Sequence, residues 1–561
     1  MADQGAAEAR KEHAALLQER AWFDPWYRDL SDYFQPRRSR FLSSDANRPK
    51  RNTKNARNRA LLAVRVARAG LAGGLTPRTR PWFSLTVGDP DLAEYGPVKE
   101  WLYRQQIRMF ERIARTNFYD AVHETFGDDV VFGTSSLNVE DDDLDVSRCY
   151  VAPVGSFVVA NNDRLEVDTW YHRTTMSVRN LVNKFGLENC SDQVKTLYDA
   201  KNNMHAPIEI VHAVTPRKGR EYGDYSIKNA PYSSCWFETA GQEDKYLRES
   251  GYREFPIMCS RWDKTGEDAY GVPPAADALG AAMGLQVFEK ARTQALQLAV
   301  RPPMNAPSTL RDNGGTTILP GQTNYYDPSG PHAKIEPAII VNERMFVEAR
   351  EELHDIESQI ENALMVDLFL LIANEERSGV TAEEIRGKKE ERLLQVGPTI
   401  QRMEREKLKP YVDRQFGIML RRGEIEPPPP ELSGQNLGVE FIGPLSAAQR
   451  LVATDSIETT SRYVKEMAEV TPAILDGFDQ DVALAEYGKA RGVPPNLIRD
   501  KKTIAAIRED QAKQKQMEQL AAMAKPAKDA AVAMQVGAET QPVPGNPLER
   551  IGQALQQGAR A

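Results

Sequence analysis

Residues 67–86 read ARAGLAGGLTPRTRPWFSLT. Gly70, Gly73 and Gly74 fall within five residues, Arg68, Arg78 and Arg80 flank them, and two prolines and a Trp82-Phe83 pair follow. Glycines beside basic residues are the composition of a phosphate-binding loop, and the context decides against one. A phosphate cradle follows a strand and closes on Lys-Ser or Lys-Thr at a helix start. Here the glycines follow a helical pattern over 57–72, with Leu61, Leu62, Val64 and Val66, and no such pair closes the loop. The structural reading is that Gly70, Gly73 and Gly74 end this helix and admit another backbone closely. Pro77 and Pro81 then hold an extended exit, and Trp82 and Phe83 anchor it in a core.

The chain has 561 residues, 41% hydrophobic and 27% charged, the balance of a globular protein with several cores. No run of 18 apolar residues predicts a membrane span. The charged start MADQGAAEARKEHAALLQER lacks the apolar stretch of a secretory signal, so synthesis in the cytoplasm is expected. Cys149, Cys190, Cys235 and Cys259 form no CxxC pair and read as reduced, partly buried thiols. The net charge of −8 argues against a protein that grips nucleic acid, which usually carries a basic surplus.

Residues 8–34 carry Leu16, Leu17, Trp22, Phe23, Trp26, Tyr27, Leu30, Tyr33 and Phe34 at helical spacing, with Pro36 beyond the end. The basic run that follows, RRSRF and then NRPKRNTKNARNR, reads as a solvated loop and helix start. A single helix is predicted over 97–126. From 130 to 263 short β-branched and aromatic runs predict a mixed α+β region, with a short helix between Ser177 as cap and Gly186 as stop. Helix returns over 273–300. Residues 301–338 hold seven prolines and four glycines and read as a small ordered insertion containing strand-like TTILPGQTNYYD. A second strong helix is predicted over 339–373, with Leu353, Ile356, Ile360, Leu364 and Leu368 as its stripe and eight acidic side chains. Thr381 and Glu384 form a capping box that restarts a helix running toward Arg422. Helix over 445–515 and a low-complexity end after about 522 complete the pattern.

Enzyme signatures are missing from the sequence: no Walker loop, no GxGxxG after a strand, no GxSxG and no HExxH. The sharpest carboxylate cluster, EDDDLD at 140–145, lacks the spacing of a calcium loop and reads as a solvated acidic turn. His172, beside Trp170 and Tyr171, reads as a partly buried side chain. No catalytic residue, metal site or cofactor is assigned, and an enzyme is not expected.

The segments WFDPWYRDLSDYFQPRRSRF, LAGGLTPRTRPWFSL, the helix–insertion–helix of 273–373 and SGVTAEEIR occur in an order and spacing that resemble the head-to-tail connecting, or portal, proteins of short-tailed bacteriophages. The resemblance spans nearly the whole chain. It implies an α+β, predominantly helical fold with wing, stem, clip and crown, assembled as a ring, usually of twelve. Residues 1–272 would form the N-terminal part of the wing, 273–300 and 339–373 the stem helices, and 301–338 the clip. Residues 374–381 would be the tunnel loop, 382–430 the return helix of the wing, 431–521 the crown, and 522–561 a barrel helix or tail. The ring would sit at one capsid vertex of the virion. Double-stranded DNA would be driven through it by the terminase large subunit and later ejected. Tail adaptor, tail, major capsid and scaffold proteins would be its other partners, with no membrane involved.

On this resemblance Asn374, Glu375, Glu376, Arg377, Ser378, Gly379 and Val380 face the DNA, with Arg377 toward the phosphates and Lys388 and Lys389 nearby. Arg301, Arg311, Tyr325, Tyr326 and Lys334 of the clip meet the terminase and then the tail. Glu343, Glu348, Glu351, Glu352 and Asp355 line the channel. A conduit needs a wall that does not hold DNA, because each phosphate contact adds affinity through counterion release. Twelve copies at −8 each carry −96. Two rival classes fit less well. A terminase-type enzyme needs a phosphate loop or metal-binding acids, and a scaffold or other virion protein lacks either the strands of 130–263 or the long helices around a proline-rich insertion.

Overall fold

The computed structural model describes residues 5–38, 54–93, 95–200, 203–221, 223–240, 245–308, 319–326, 335–340, 343–373, 382–432, 434–468, 477–490 and 504–518. Two compact units divide the chain, one of residues 1–93 with 97–493 and one of residues 94–96 with 494–561. The described part of the second is mainly an exposed helix over 504–518, with Lys513 paired to Glu509 at 2.9 Å.

The N-terminal stripe is two helices, α1 (Ala6–Arg20) and α2 (Asp24–Phe34). Asp24-Pro25 starts the second, since proline fits a first-turn position but not a helix interior. Trp22 falls in the joint and is 87% exposed, outside the stripe assigned to it. Helix α3 (Arg59–Leu75) runs through all three glycines of the opening stretch and stops at Thr76, so the glycines do not end it. The close approach expected at all three is made at Gly70 and Gly74, by side chains rather than backbone, and not at Gly73. A methyl group at Gly70 would lie 2.3 Å from the Phe369 ring, and one at Gly74 would lie 3.1 Å from Leu445. These glycines open a groove on α3 for two later segments.

Strand β1 (Phe83–Val87) and the short helix α4 (Pro90–Ala93) follow. Trp82 and Phe83 are fully buried. The Trp82 ring stacks on Phe118 and on Phe441, and Phe118 stacks on Tyr411 with centroids 3.9 Å apart. The helix expected over 97–126 is also two, α5 (Gly96–Arg115) and α6 (Phe118–Phe132). Thr116 Oγ1 donates to the Ile113 carbonyl and accepts from the Phe118 N–H, replacing the helix ladder at the joint.

The mixed region forms two antiparallel sheets. Strands β2 (Thr134–Asp142) and β3 (Val146–Ala152) form a hairpin whose turn lies in the acidic run. Strands β4 (Phe157–Asn161), β5 (Val167–Ser177), β6 (Pro207–Pro216), β7 (Tyr232–Glu238) and β8 (Arg248–Tyr252) form a five-stranded sheet in sequence order. Helices α7 (Val178–Phe185) and α8 (Asp192–Asp199) interrupt it after β5. Ser177 Oγ caps α7 and Gly186 ends it in the left-handed region, as its sequence requires. Strand β9 (Ile257–Arg261) returns to pair with β2. Ala9, Leu16 and Leu17 of α1 cover Val158, Tyr171, Val211 and Phe237 of the larger sheet. All four cysteines are buried thiols, and none is joined in a disulfide.

Helix α9 (Pro274–Val300) leads to strands β10 (Met304–Pro307), β11 (Thr323–Tyr326) and β12 (Glu336–Pro337), which form a small sheet with β10 in the middle. Helix α10 (Glu343–Ala363) returns along α9. The helix expected over 339–373 is interrupted at Leu364–Met365, where Met365 takes a left-handed φ of 54°, and resumes as α11 (Val366–Ala373). Helix α12 (Ala382–Met403) continues through a π turn at Glu404–Leu408 into α13 (Lys409–Arg421). Strand β13 (Leu437–Phe441) pairs antiparallel with β1 and so joins residues 437–441 to the strand that ends the opening stretch. Helices α14 (Pro444–Ala468) and α15 (Gln480–Ala490) complete the described part of the first unit.

Candidate functional site

The site-bearing feature is the α9–α10 pair with its tip of short strands. The two helices are antiparallel: Ala338 N–H donates to the Pro303 carbonyl at the tip end, and Arg57 bridges Glu289 of α9 and Glu357 of α10 further in. At 1.5 Å per residue α9 spans about 40 Å. Its first half is embedded, with Ala275, Ala278, Ala282 and Leu285 in the main core. From Val287 outward it is largely exposed, with Val287 at 70% and Val300 at 77%. Met345 and Val347 of α10 are exposed as well.

The helical repeat sorts the side chains of α10 into three faces. Leu353, Ile356 and Ile360 point to the core. Glu357 and Glu361 meet Arg57 and Arg59, from the chain leading into α3. The remaining face carries Glu348, Glu351, Glu352 and Asp355, at spacings i, i+3, i+4 and i+7, all exposed. Glu348 has Arg344 at 3.6 Å, one turn away. Among the described residues Glu351, Glu352 and Asp355 have no ion-pair partner. Glu343 is the first residue of α10. The acidic excess read from the sequence therefore separates in two. Glu357, Glu361 and also Asp367, paired with Arg392 at 3.1 Å, fix the helices to the body, whereas Glu351, Glu352 and Asp355 form an exposed stripe with no ion-pair partner among the described residues.

At the tip, Arg301 follows α9 and its carbonyl accepts from Gly321 N–H at 2.9 Å. Tyr325 and Tyr326 stand on β11 in register with Ala306 and Pro307. Arg311, Lys334, Asn374, Glu375, Glu376, Arg377, Ser378, Gly379, Val380 and Thr381 lie outside the described residues. Lys388 and Lys389 are in α12, whose preceding residues are that segment.

The elements on either side of 374–381 are anchored differently. On one side Phe369 of α11 seats against Gly70. On the other, the π turn at the end of α12 fans three side chains toward three elements. Glu404 accepts from Ser446 of α14, Glu406 pairs with Arg261 of β9 at 2.7 Å, and Lys407 pairs with Asp129 of α6. Lys407 and Asp129 are 0% exposed. Lys407 also donates to Thr125 Oγ1 at 3.1 Å, and Asp129 accepts from Ser260 at 2.7 Å. Burial pushes the Lys407 ammonium below its ordinary pKa, and Asp129 opposes that shift. Next to it, Arg38 makes a two-point bond to Asp128 with both distances 2.7 Å.

Sequence reasoning missed these anchors. Arg38, Arg57 and Arg59 sit in the basic run read as a solvated loop, and Lys407, in REKLKP, has the look of an exposed helix face. The EDDDLD turn is likewise more than a solvated turn. Asp141 accepts from Arg414, a 2% exposed side chain of α13, at 3.2 Å. Among the described residues no group of three or more His, Cys, Asp or Glu is placed to hold a metal ion. The open cleft beside Gly73 places Arg68 and Arg78 opposite Asp120 and Glu124, so its charges are balanced.

A family model described as bacteriophage head to tail connecting protein matches residues 6–498. The portal protein of Salmonella phage epsilon15 is 37% identical over 556 residues, 99% of each chain. The probable portal protein of Bordetella phage BPP-1 is 34% identical over 504 residues, 90% of each chain. The neck of an empty gene transfer agent particle matches 74% of this chain and 93% of that chain at 12% identity with a TM-score of 0.32, a likeness that carries no argument. Matched from its first helix to beyond its last described one in the first unit, the chain belongs to the family of bacteriophage head to tail connecting proteins.

Proposed function

We propose that this chain is the subunit of a ring-shaped portal, usually a dodecamer, set at one vertex of a tailed-phage capsid. In this reading the terminase drives double-stranded DNA through the ring during packaging, the DNA leaves by the same path, and the tail docks on the tip. The α9–α10 pair is the stem, and the strands β10, β11 and β12 belong to the clip. Residues 374–381 are the tunnel loop, and Arg377 approaches the phosphates. The subunit's part is structural, with the energy for translocation supplied by a partner.

The observation that carries this reading is the free acidic stripe of α10. Like charges one turn apart cost a few tenths of a kcal/mol per pair. Glu351, Glu352 and Asp355 accept that cost although the neighbouring acids Glu357 and Glu361 are matched by arginines. A wall that repels phosphates keeps passing DNA from binding. The exposed apolar side chains of α9 and α10 supply the complementary need, a surface for adjacent subunits.

Negative-stain microscopy of the purified chain should give rings with a central hole and about twelvefold symmetry; monomers or open filaments overturn the proposal. With E351K/E352K/D355K, rings should still form, but they should retain DNA at low salt and package a shorter length in a terminase-driven assay. Unchanged DNA retention and packaging would remove the stripe from the channel.

A further inference from the structure

At the β8 edge of the five-stranded sheet, beside α7, lies an open cleft of about 530 Å³. Lys184, Lys228, Lys245 and Arg248 converge on it from four separate pieces of chain: α7, a single turn at Ile227–Asn229, the approach to β8, and β8 itself. Buried Phe185 and Leu247 lie beneath a mainly polar lining. The Lys184 Nζ is held 4.0 Å from the centroid of the Trp236 ring and 5.2 Å from that of Phe185.

Among the described residues the charges on this wall are not matched. The one carboxylate among them, Glu249, is taken by Arg217 at 3.4 Å. Lys245 is satisfied by the Glu188 carbonyl at 2.7 Å. Among the described residues Lys184, Lys228 and Arg248 have no ion-pair partner. Three exposed cations lining one cleft, in a chain of net charge −8, raise the local potential and favour an anion. The Lys184 ammonium shows the strain: partial burial lowers its pKa, Arg248 lowers it further, and Glu140 opposes.

We propose that this cleft binds a phosphate group. Three unmatched cations call for about two negative charges on one compact centre. A phosphate monoester carries about −1.5 to −2 and offers three acceptor oxygens, whereas a single carboxylate offers −1 and two. Arginine and lysine donors converging from several sides suit the tetrahedral group. The group has two sources of the same chemistry, a small free phosphate or the terminal phosphate of a nucleic-acid strand. The cleft lies on neither α9 nor α10, so the inference stands whether or not the channel reading does.

The test is calorimetric titration of the full chain with pyrophosphate, with a 5′-phosphorylated and an unphosphorylated DNA dodecamer, and with hexaglutamate. Pyrophosphate or the phosphorylated strand should bind, K184Q/R248Q should weaken that binding at least tenfold, and R164Q, an exposed site elsewhere, should not change it. Tighter binding of the phosphorylated strand assigns the source to a strand end; tighter binding of pyrophosphate assigns it to a free phosphate. If K184Q/R248Q does not fold, K228Q, at an exposed lysine, decides through a severalfold loss. The proposal is overturned by no heat from any phosphate probe, by equal affinity in the variant, or by preference for hexaglutamate. Glu243 and Asp244 precede Lys245 and lie outside the described residues. Phosphate binding seen only in E243Q/D244N would also overturn it, because the chain's own carboxylates would then be the occupant.

Discussion

Gly70 and Gly73 stand three residues apart in α3 and meet different surroundings. Gly70 has the Phe369 ring where its side chain would be, and Gly73 has nothing within 4 Å. Gly70→Ala should therefore cost about 1–3 kcal/mol, the usual range for overpacking a filled site, and should loosen α11. Gly73→Ala should stabilise by up to about 1 kcal/mol, because alanine is the better helix former. Thermal midpoints of the two variants check this, and equal shifts would refute the groove. Both glycines were conspicuous in the sequence, but their roles were not. A glycine in a helix and a glycine past its end look alike until the partner, here some 300 residues away, is known. Trp82 and Phe83 were easier to read, because two adjacent aromatics after a proline have few places to go but a core.

Element boundaries divide into those with a local signal and those without. Asp24-Pro25 and Thr116-Asn117 are breaks that local chemistry announces, and strong apolar spacing on both sides hid them. The break at Leu364–Met365 has no glycine or proline to announce it. The seating of Phe369 and Leu368 in the core sets it from outside. The π turn at 404–408 is equally silent, since its extra residue matters only for where Glu404, Glu406 and Lys407 arrive. Removing one partner of a buried pair leaves an unmatched charge, typically at a cost of 3–5 kcal/mol. Lys407→Met should thus lower the thermal midpoint strongly, and the added Asp129→Asn should recover part of the loss. A double variant no better than the single one would mean that the pair is not coupled. The free acidic stripe was legible as a composition bias on one helix. Which of its acids are matched was not, because Arg57 and Arg59 come from a segment with no sequence relation to α10.

For the whole molecule, pH gives a prediction with a definite sign. His13 and His172 are each pushed down to about 4, and His212 is also pushed down, by burial first in every case. Unfolded, these side chains take up protons near pH 6.5. Folded, they stay neutral, so stability present at pH 7 is lost as pH falls from about 6.5 toward 4, by up to about 1.4 kcal/mol per unit for each group. Buried carboxyls such as Asp128, whose pKa burial raises, act in the opposite sense. Thermal midpoints between pH 7 and 5 should fall steadily, and His13→Gln should flatten the slope; a flat wild-type profile would contradict the burial of these rings. The family and the α+β class were legible from the order of segments. The closure of the body was not, because β1 finds its partner β13 only late in the chain. That pairing has a consequence in time. Trp101 donates to the Glu426 carbonyl across 325 residues, and the strand pair spans a similar distance. At roughly 5–20 residues per second of synthesis, the N-terminal aromatic core waits some tens of seconds on the ribosome for its last wall. A nascent chain not yet read past residue 441 lacks that wall, so its first aromatic core is completed only after more than three quarters of the chain has been made.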